Sequence, residues 1–311
     1  MSRTVLITGG AGFLGSHLCD YFIKDSQVVA VDNFHTGSKK NVAHLLDNPS
    51  FTLVEHDVTK DFPKQVTDNK YDIVLNLACP ASPPHYQRLA IETLEVGSLG
   101  TTNAIQLALR DNARFFHAST SEVYGDPEVH PQTEEYWGSV NSYGPRSMYD
   151  ESKRFAEALV YSYREKHGLN SVMGRIFNTY GPRMDKLDGR VVSNFVNQAL
   201  EGKDLTVYGD GNQTRSFCYV DDLVAAIVAL IDSEEEGPIN IGNPNEFTML
   251  ELIGVIQDVL GKELTVIHEE MPGDDPKKRQ PDISKAKDRL GWEPEIQLKE
   301  GIEKTVEYFS S

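Results

Sequence analysis

The chain has 311 residues, 39% of them hydrophobic and 25% charged, which provides for a sizeable buried core and argues against long-range disorder. Forty-seven acidic residues against 30 basic ones leave a formal net charge of −17, a field that repels nucleic acid and anionic membrane surfaces. No apolar run approaches the roughly 20 residues of a bilayer span, nine histidines and three cysteines without zinc spacing predict no metal site, and Cys19, Cys79 and Cys218 read as reduced thiols of a cytoplasmic protein.

Segment 5–8, Val-Leu-Ile-Thr, reads as a first strand rather than as part of a signal peptide. It runs into Gly9-Gly-Ala-Gly12-Phe-Leu-Gly15, and apolar residues at helical spacing follow over 13–24. Glycines 9, 12 and 15 form a GxxGxxG variant of the dinucleotide-binding turn. Gly9 permits the tight turn, Gly12 lets backbone approach a pyrophosphate, and Gly15 lets helix and strand pack closely. The start of the helix then offers N–H groups and the positive end of its dipole to the anion. A second strand at 28–31 ends on Asp32, 20 residues past Gly12. A carboxylate there accepts hydrogen bonds from both adenosine ribose hydroxyls and repels a 2′-phosphate, so NAD is expected over NADP. A third strand at 52–55 precedes Asp57-Val58, placed to meet the adenine.

Strands at 73–77, 114–118 and 171–176 alternate with helical patterns over 91–110 and 149–167. Such alternation implies right-handed βαβ crossovers and a parallel sheet covered on both faces, a Rossmann-type doubly wound α/β fold. Past about residue 180, Pro and Gly punctuate the chain; helices are predicted over 191–201, 220–232, 249–260 and 298–308, with Gly202 and Gly261 at C-terminal caps. The expected organisation is an NAD-binding domain over 1–180 and a smaller α/β substrate-binding region over 181–311, some of whose segments return to the first domain.

Tyr149-Asp-Glu-Ser-Lys153 opens the long helical stretch and places Tyr149 and Lys153 one turn apart on one face. A phenol titrates near pH 10. An adjacent ammonium and a positive nicotinamide ring favour the phenolate and make Tyr149 a candidate acid/base. A non-catalytic NAD-binding sensor or scaffold on the same fold is expected to show a damaged Tyr/Lys pair, and this pair is intact.

Two further segments belong with these motifs: Ser119-Thr120-Ser121-Glu122-Val-Tyr-Gly125 after the fifth strand, and Arg175-Ile-Phe-Asn178-Thr179-Tyr-Gly-Pro-Arg183 after the sixth. Together they resemble the extended short-chain dehydrogenase/reductase family, in its nucleotide-sugar-modifying branch. Pro80-Ala-Ser82-Pro-Pro-His-Tyr86, Ser121-Glu-Val-Tyr-Gly-Asp-Pro-Glu-Val-His-Pro131 and Asp188-Gly-Arg190-Val-Val-Ser-Asn194 are similar to its UDP-glucuronate-decarboxylating members. Asp275-Pro-Lys-Lys-Arg279-Gln-Pro-Asp282 and Leu290-Gly-Trp-Glu-Pro294 extend the likeness nearly end to end. The chain departs from the pattern at Cys79, where serine is usual, and at Glu95-Val96-Gly97, where Lys-Thr-Asn is frequent.

The resemblance implies a redox-neutral cycle on tightly bound NAD. C4 of UDP-glucuronate is oxidised while Tyr149 removes the hydroxyl proton, the 4-keto acid loses C6 as CO2, and C4 is reduced again to give UDP-xylose. Lys153 orients the nicotinamide ribose, Thr120 hydrogen-bonds the reacting oxygen, and Glu122 positions the sugar or handles protons. Phe13, Leu14, Asn33, Phe34, Leu77, Cys79 and Thr179 complete the cofactor set, and Pro80, Ser82 and Tyr86 join the substrate set. Arg190, Arg215 and Arg279 are the cations for the diphosphate, with a place near the cofactor the alternative for Arg190. Asn178 meets phosphate or sugar oxygens, and Tyr208 packs on the uracil. Within the branch a 4-epimerase or a 4,6-dehydratase is the alternative, although the Asp-Glu pair usual beside the dehydratase Thr is Ser121-Glu122 here. A homodimer is expected, with Leu99, Ile105, Ala156, Leu159 and Tyr163 forming an outer apolar face or else buried in the core.

Overall fold

The computed structural model describes residues 2–270 and 278–311, so Asp275, Pro276 and Lys277 of the motif ending at Asp282 lie outside the described residues. Seven parallel strands form the central sheet: β1 (Thr4–Thr8), β2 (Gln27–Asp32), β3 (Phe51–Glu55), β4 (Ile73–Asn76), β5 (Arg114–Thr120), β6 (Ser171–Ile176) and β7 (Pro238–Ile241), in the order β7-β6-β5-β4-β1-β2-β3. Their apolar runs are continuous because both faces are covered. Val5, Ile7, Val28 and Ala30 enter one core cluster, while Leu6, Val29 and Val31 enter the other.

The helices follow as α1 (Phe13–Phe22), α2 (Pro83–Arg88), α3 (Ala90–Glu95), α4 (Thr101–Asp111), α5 (Ser147–His167), α6 (Val191–Leu200), α7 (Val220–Asp232), α8 (Met249–Leu260), α9 (Ser284–Leu290) and α10 (Leu298–Ser310). Leu18, Phe22, Leu223 and Ile227 of α1 and α7 pack with one face of the sheet. Ala104, Ile105, Ala108 and Val160 of α4 and α5 pack with the other. The chain runs outward from β1 through β2 to β3, then returns to β4 on the opposite side. That reversal opens a crevice at the carboxyl ends of β1 and β4, where doubly wound sheets bind ligands.

The helix expected over 91–110 is α3 and α4 joined by one π-helical turn, Val96–Gly100. A Cβ at Gly97 would lie 2.7 Å from the Cβ of Ser152, so the widened turn and its glycine let this rod pass close to α5. Helix α2, with Pro at its first position, had no periodic signal. The short strand β7 and helix α7 bring the chain after residue 180 back onto the large sheet. Two strand pairs, Leu205–Tyr208 with Val266–Glu269 and Thr214–Ser216 with Glu246–Thr248, build the smaller region. Ile105 and Ala156 are fully buried in or against the core rather than on an outer face, Leu159 and Tyr163 are partly buried, and Leu99 is 52% exposed. Among the described residues no helix is long and apolar enough to cross a membrane.

Candidate active site

The glycine loop is shaped by contacts that a side chain would block. Gly9 has φ +70°, donates its N–H to the Val31 carbonyl at 2.8 Å, and leaves room for a Cβ only 2.9 Å from the Ala78 nitrogen. A Cβ on Gly15 would collide with the Gly9 carbonyl oxygen and lie 2.9 Å from the Gly10 Cα. Gly12 caps α1 without a side chain, so the first-turn amides of Phe13, Leu14 and Gly15 open onto the cleft. Buried Asp32 is fixed from both sides, its Oδ2 accepting from the Ala11 N–H at 3.0 Å and its Oδ1 from the Phe34 N–H at 2.8 Å. Burial pushes its carboxyl up from the ordinary range, and these hydrogen bonds work the other way.

Phe34 is not among the residues lining the cleft. Its φ of 58° turns the chain, and its ring packs under Lys39, whose Nζ lies 4.7 Å from the centroid. Asn33, Asp57, Val58, Leu77, Cys79 and Thr179 do line it. Burial opposes ionisation of Asp57, but the Thr59 N–H and hydroxyl, each 2.9 Å away, hold its carboxyl below the usual range. Thr8 on β1 accepts from the N–H groups of Leu77 and Ala78 at 3.1 and 3.2 Å, which fixes the floor of the cleft beyond β4. Sequence reasoning passed over this threonine because it reads as an ordinary strand end.

At the centre of the cleft α5 presents Tyr149 and Lys153. Tyr149 is buried and stacked on Tyr86, with ring centroids 5.0 Å apart and planes at 10°, and its hydroxyl hydrogen-bonds the Thr120 side chain. Buried Lys153 donates to the Ala118 carbonyl at 2.8 Å and sits 5.9 Å from the Tyr149 ring centroid. Burial pushes the Tyr149 phenol up, the Cys79 thiol adds to this, and the Thr120 hydrogen bond opposes it. The lowering expected from Lys153 therefore does not prevail, and the phenol is held above its ordinary range. Thr120, the last residue of β5, accepts from the Glu122 N–H at 3.3 Å and so ties Tyr149 to the following turn.

Glu122 stands between two guanidinium groups, 2.7 Å from Arg146 and 3.1 Å from Arg279. Burial works against its charge, but Arg279 and Arg146 hold its carboxyl below the ordinary range. Arg279 is 2% exposed; it donates to the Ser121 carbonyl and, at 3.0 Å, to the Gly125 carbonyl. One turn past Arg146, Asp150 is buried with no partner on Oδ1 among the described residues, and burial together with Glu122 raises its carboxyl to about 7. Arg190 lies on the cleft in a bidentate pair with Asp188, at 2.5 and 2.7 Å. Arg146 was missed, since a lone charge ahead of the helix carries no periodic signal, and Asp150 and Asp188 lie inside quoted motifs but were given no role.

Pro80, Ser82, Tyr86, Asn178, Tyr208 and Arg215 also line the cleft, a continuous space of about 1470 Å³ running from Gly12 to Arg279. Arg175 is not among its lining residues; it braces Glu157 and Tyr124 instead. The space exceeds a usual small-molecule pocket of roughly 300–1,000 Å³, as two ligands side by side require. The residues fit a dinucleotide at the glycine end, where only glycines leave the cradle open and Asp32 lines the same space. The Ser82 hydroxyl, buried in the cleft wall, has no partner among the described residues.

Comparison with known proteins extends this picture. The sequence profile of the family described as GDP-mannose 4,6 dehydratase matches residues 6–305. The chain is 52% identical over 306 residues to UDP-glucuronic acid decarboxylase 1 of Arabidopsis thaliana, covering 98% of this chain and 69% of that protein. It is 51% identical over 310 residues to UDP-glucuronic acid decarboxylase 1 of Xenopus tropicalis, covering 99% and 72%. The fold matches a UDP-glucuronic acid 4-epimerase from Bacillus cereus, solved with UDP-glucuronic acid and NAD, with a TM-score of 0.89, 28% identity and 98% coverage of both chains.

Proposed function

The chain belongs to the GDP-mannose 4,6 dehydratase family and, within it, to the UDP-glucuronic acid decarboxylases, and from that premise we infer that it is an NAD-dependent enzyme converting UDP-glucuronate to UDP-xylose and CO2. The observation that carries the reading is the single cleft in which Tyr149, Thr120 and Lys153 stand between a glycine cradle and the Glu122–Arg279 pair. The glycine loop, Asp32 and Lys153 would hold NAD, which would supply the acceptor and donor of the C4 hydride. Tyr149 takes the C4 hydroxyl proton and later returns it, with Thr120 fixing the phenol. Once C4 is a ketone, the C5–C6 bond breaks, its electron pair flows to the C4 oxygen, and CO2 leaves. C5 then gains a proton, and reduction of C4 closes the cycle without net redox change. Glu122, kept ionised, orients the sugar together with Arg279, while Arg190, Arg215 and Asn178 face the diphosphate and Tyr208 the uracil.

Incubation with UDP-glucuronate, and separately with UDP-glucose, followed by mass spectrometry tests this. Loss of about 44 mass units from UDP-glucuronate alone is expected. A product of unchanged mass identifies a 4-epimerase, and loss of water a dehydratase.

Residues 1–180 are assigned to the cofactor and most of 181–311 to the nucleotide sugar, with α7 and β7 completing the cofactor-side sheet. A homodimer accompanies this reading. Ile91, Leu94, Leu99, Phe155 and Tyr161 are exposed on the neighbouring rods α3–α4 and α5, an apolar patch that supports a helix-to-helix interface. A reducing, cytoplasmic setting suits the three free cysteines.

A further inference from the structure

Arg279 reaches the turn after β5 from a distant part of the chain, and the group that seats it lies outside the cleft. Gln132, fully buried in the segment between β5 and α5, uses its polar groups on both sides. Its backbone N–H donates to the Gln280 carbonyl at 2.9 Å, and its carbonyl accepts from the Asp282 N–H at 2.8 Å. Its side-chain Oε1 accepts from the Gln280 N–H at 2.9 Å while Nε2 donates to the Val129 carbonyl at 2.8 Å. Residues 280–282 thus run beside Gln132 as a one-residue parallel bridge, Gln132 opposite Pro281.

Asn240 of β7, also fully buried, clasps both partners, its Nδ2 donating to the carbonyls of Gln132 at 2.9 Å and Asp282 at 3.2 Å. Its Oδ1 accepts from the Tyr124 hydroxyl at 2.7 Å, and the Tyr124 oxygen accepts from Arg175 at 2.9 Å. Arg175 in turn is bidentate on Glu157, at 3.0 and 2.8 Å, one turn past Lys153 on α5. A continuous polar chain therefore links the helix of Tyr149 and Lys153 to the residue next to Arg279 without entering the cleft.

We propose that Gln132 is a positioning residue: by clamping the Gln280 N–H it fixes the Arg279 guanidinium against Ser121, Glu122 and Gly125, and it affects turnover only through Arg279. This rests on the reading of Arg279 as a substrate-orienting group. A buried guanidinium is tolerated only where its partners are in register, and a misplacement of about 1 Å at a reacting centre costs on the order of 100-fold in rate. Gln132→Ala removes the side-chain clamp and leaves the two backbone bonds in place.

The test is a double-mutant cycle of Gln132→Ala and Arg279→Ala on the full chain, read as kcat and KM for UDP-glucuronate, with NAD affinity and thermal melting followed in parallel. Gln132→Ala is expected to lower kcat/KM by roughly 10–100-fold with unchanged NAD affinity, and to have no effect once Arg279 is alanine. If Gln132→Ala does not fold, the same cycle is run with Gln132→Asn, which carries the amide one methylene short of Gln280. Multiplicative effects of the two substitutions overturn the positioning role and leave Arg279 as assigned. A fully active Gln132→Ala does the same, whereas a fully active Arg279→Ala overturns the assignment of Arg279 and the clamp with it.

Discussion

Replacing Tyr149 with phenylalanine removes one oxygen and little else. The ring keeps its stack on Tyr86, at 5.0 Å between centroids, and its burial at the centre of the cleft. The hydroxyl loses its hydrogen bond with the Thr120 side chain. A single such bond is worth about 1 kcal/mol of stability, so the variant should fold and bind NAD and UDP-glucuronate much as the unmodified enzyme does. Turnover is another matter, because the same oxygen accepts a proton in C4 oxidation and returns it in C4 reduction. Loss of a general base typically costs about 10²–10⁴-fold, equivalent to roughly 3–5 kcal/mol of barrier. CO2 release and NADH absorbance in stopped flow, with ligand affinities from calorimetry, separate the two effects. Turnover within tenfold of the unmodified enzyme, with both ligands bound, would refute the assignment of Tyr149.

Asp32→Ala deletes the carboxylate assigned above to the cofactor ribose, and each charge-assisted hydrogen bond lost is worth about 1.5–3 kcal/mol. NAD affinity should fall by at least about tenfold per bond and the preference over NADP should narrow; calorimetry giving equal NAD and NADP affinity for the unmodified protein would sink this. Asp150 carries a carboxyl raised to about 7 by burial and Glu122. A carboxyl raised on folding adds stability that is fully present below its unfolded value near 4 and is lost as pH rises through 7. Asp150→Asn should therefore gain on the unmodified protein by a few kcal/mol between about pH 4 and 8. Urea melts that keep the same difference at both pH values would contradict it. For the dimer, light scattering should give about twice the chain mass of 34.7 kDa, and Leu99→Asp should shift it toward the monomer. A single-chain mass at micromolar concentration would exclude that interface.

Much of the fold was legible because its strands are buried on both faces. Val5 to Ile7 and Val28 to Val31 read as continuous apolar runs, and the glycines between them mark a turn that tolerates no Cβ at 9 or 15. What escaped notice depends on partners distant in the chain. The π-turn at Val96–Gly100 is one residue wider than a helical pattern predicts and has its reason in Ser152. Pro238–Ile241 is too short to stand out and becomes a strand by pairing with β6. Ile105 and Ala156 sit on helices expected to leave an outer apolar face, yet both are fully buried, Ile105 within the core cluster on that side of the sheet. Phe34 follows Asp32 directly, but a left-handed backbone takes its ring out of the cleft and leaves only its N–H on the carboxylate. Tyr149 illustrates the same limit in its chemistry: the i,i+4 lysine is visible in the sequence, whereas the burial that outweighs it is not.

The central claim is decarboxylation through a C4 ketone with no net change in the cofactor. The most direct measurement is mass spectrometry of the product formed from UDP-glucuronate in D2O, with NADH absorbance recorded alongside. The account predicts loss of CO2, one non-exchangeable deuteron taken up at C5 and no NADH left at the end of the reaction. A product that keeps its carboxylate, or NADH accumulating in step with CO2, would contradict it.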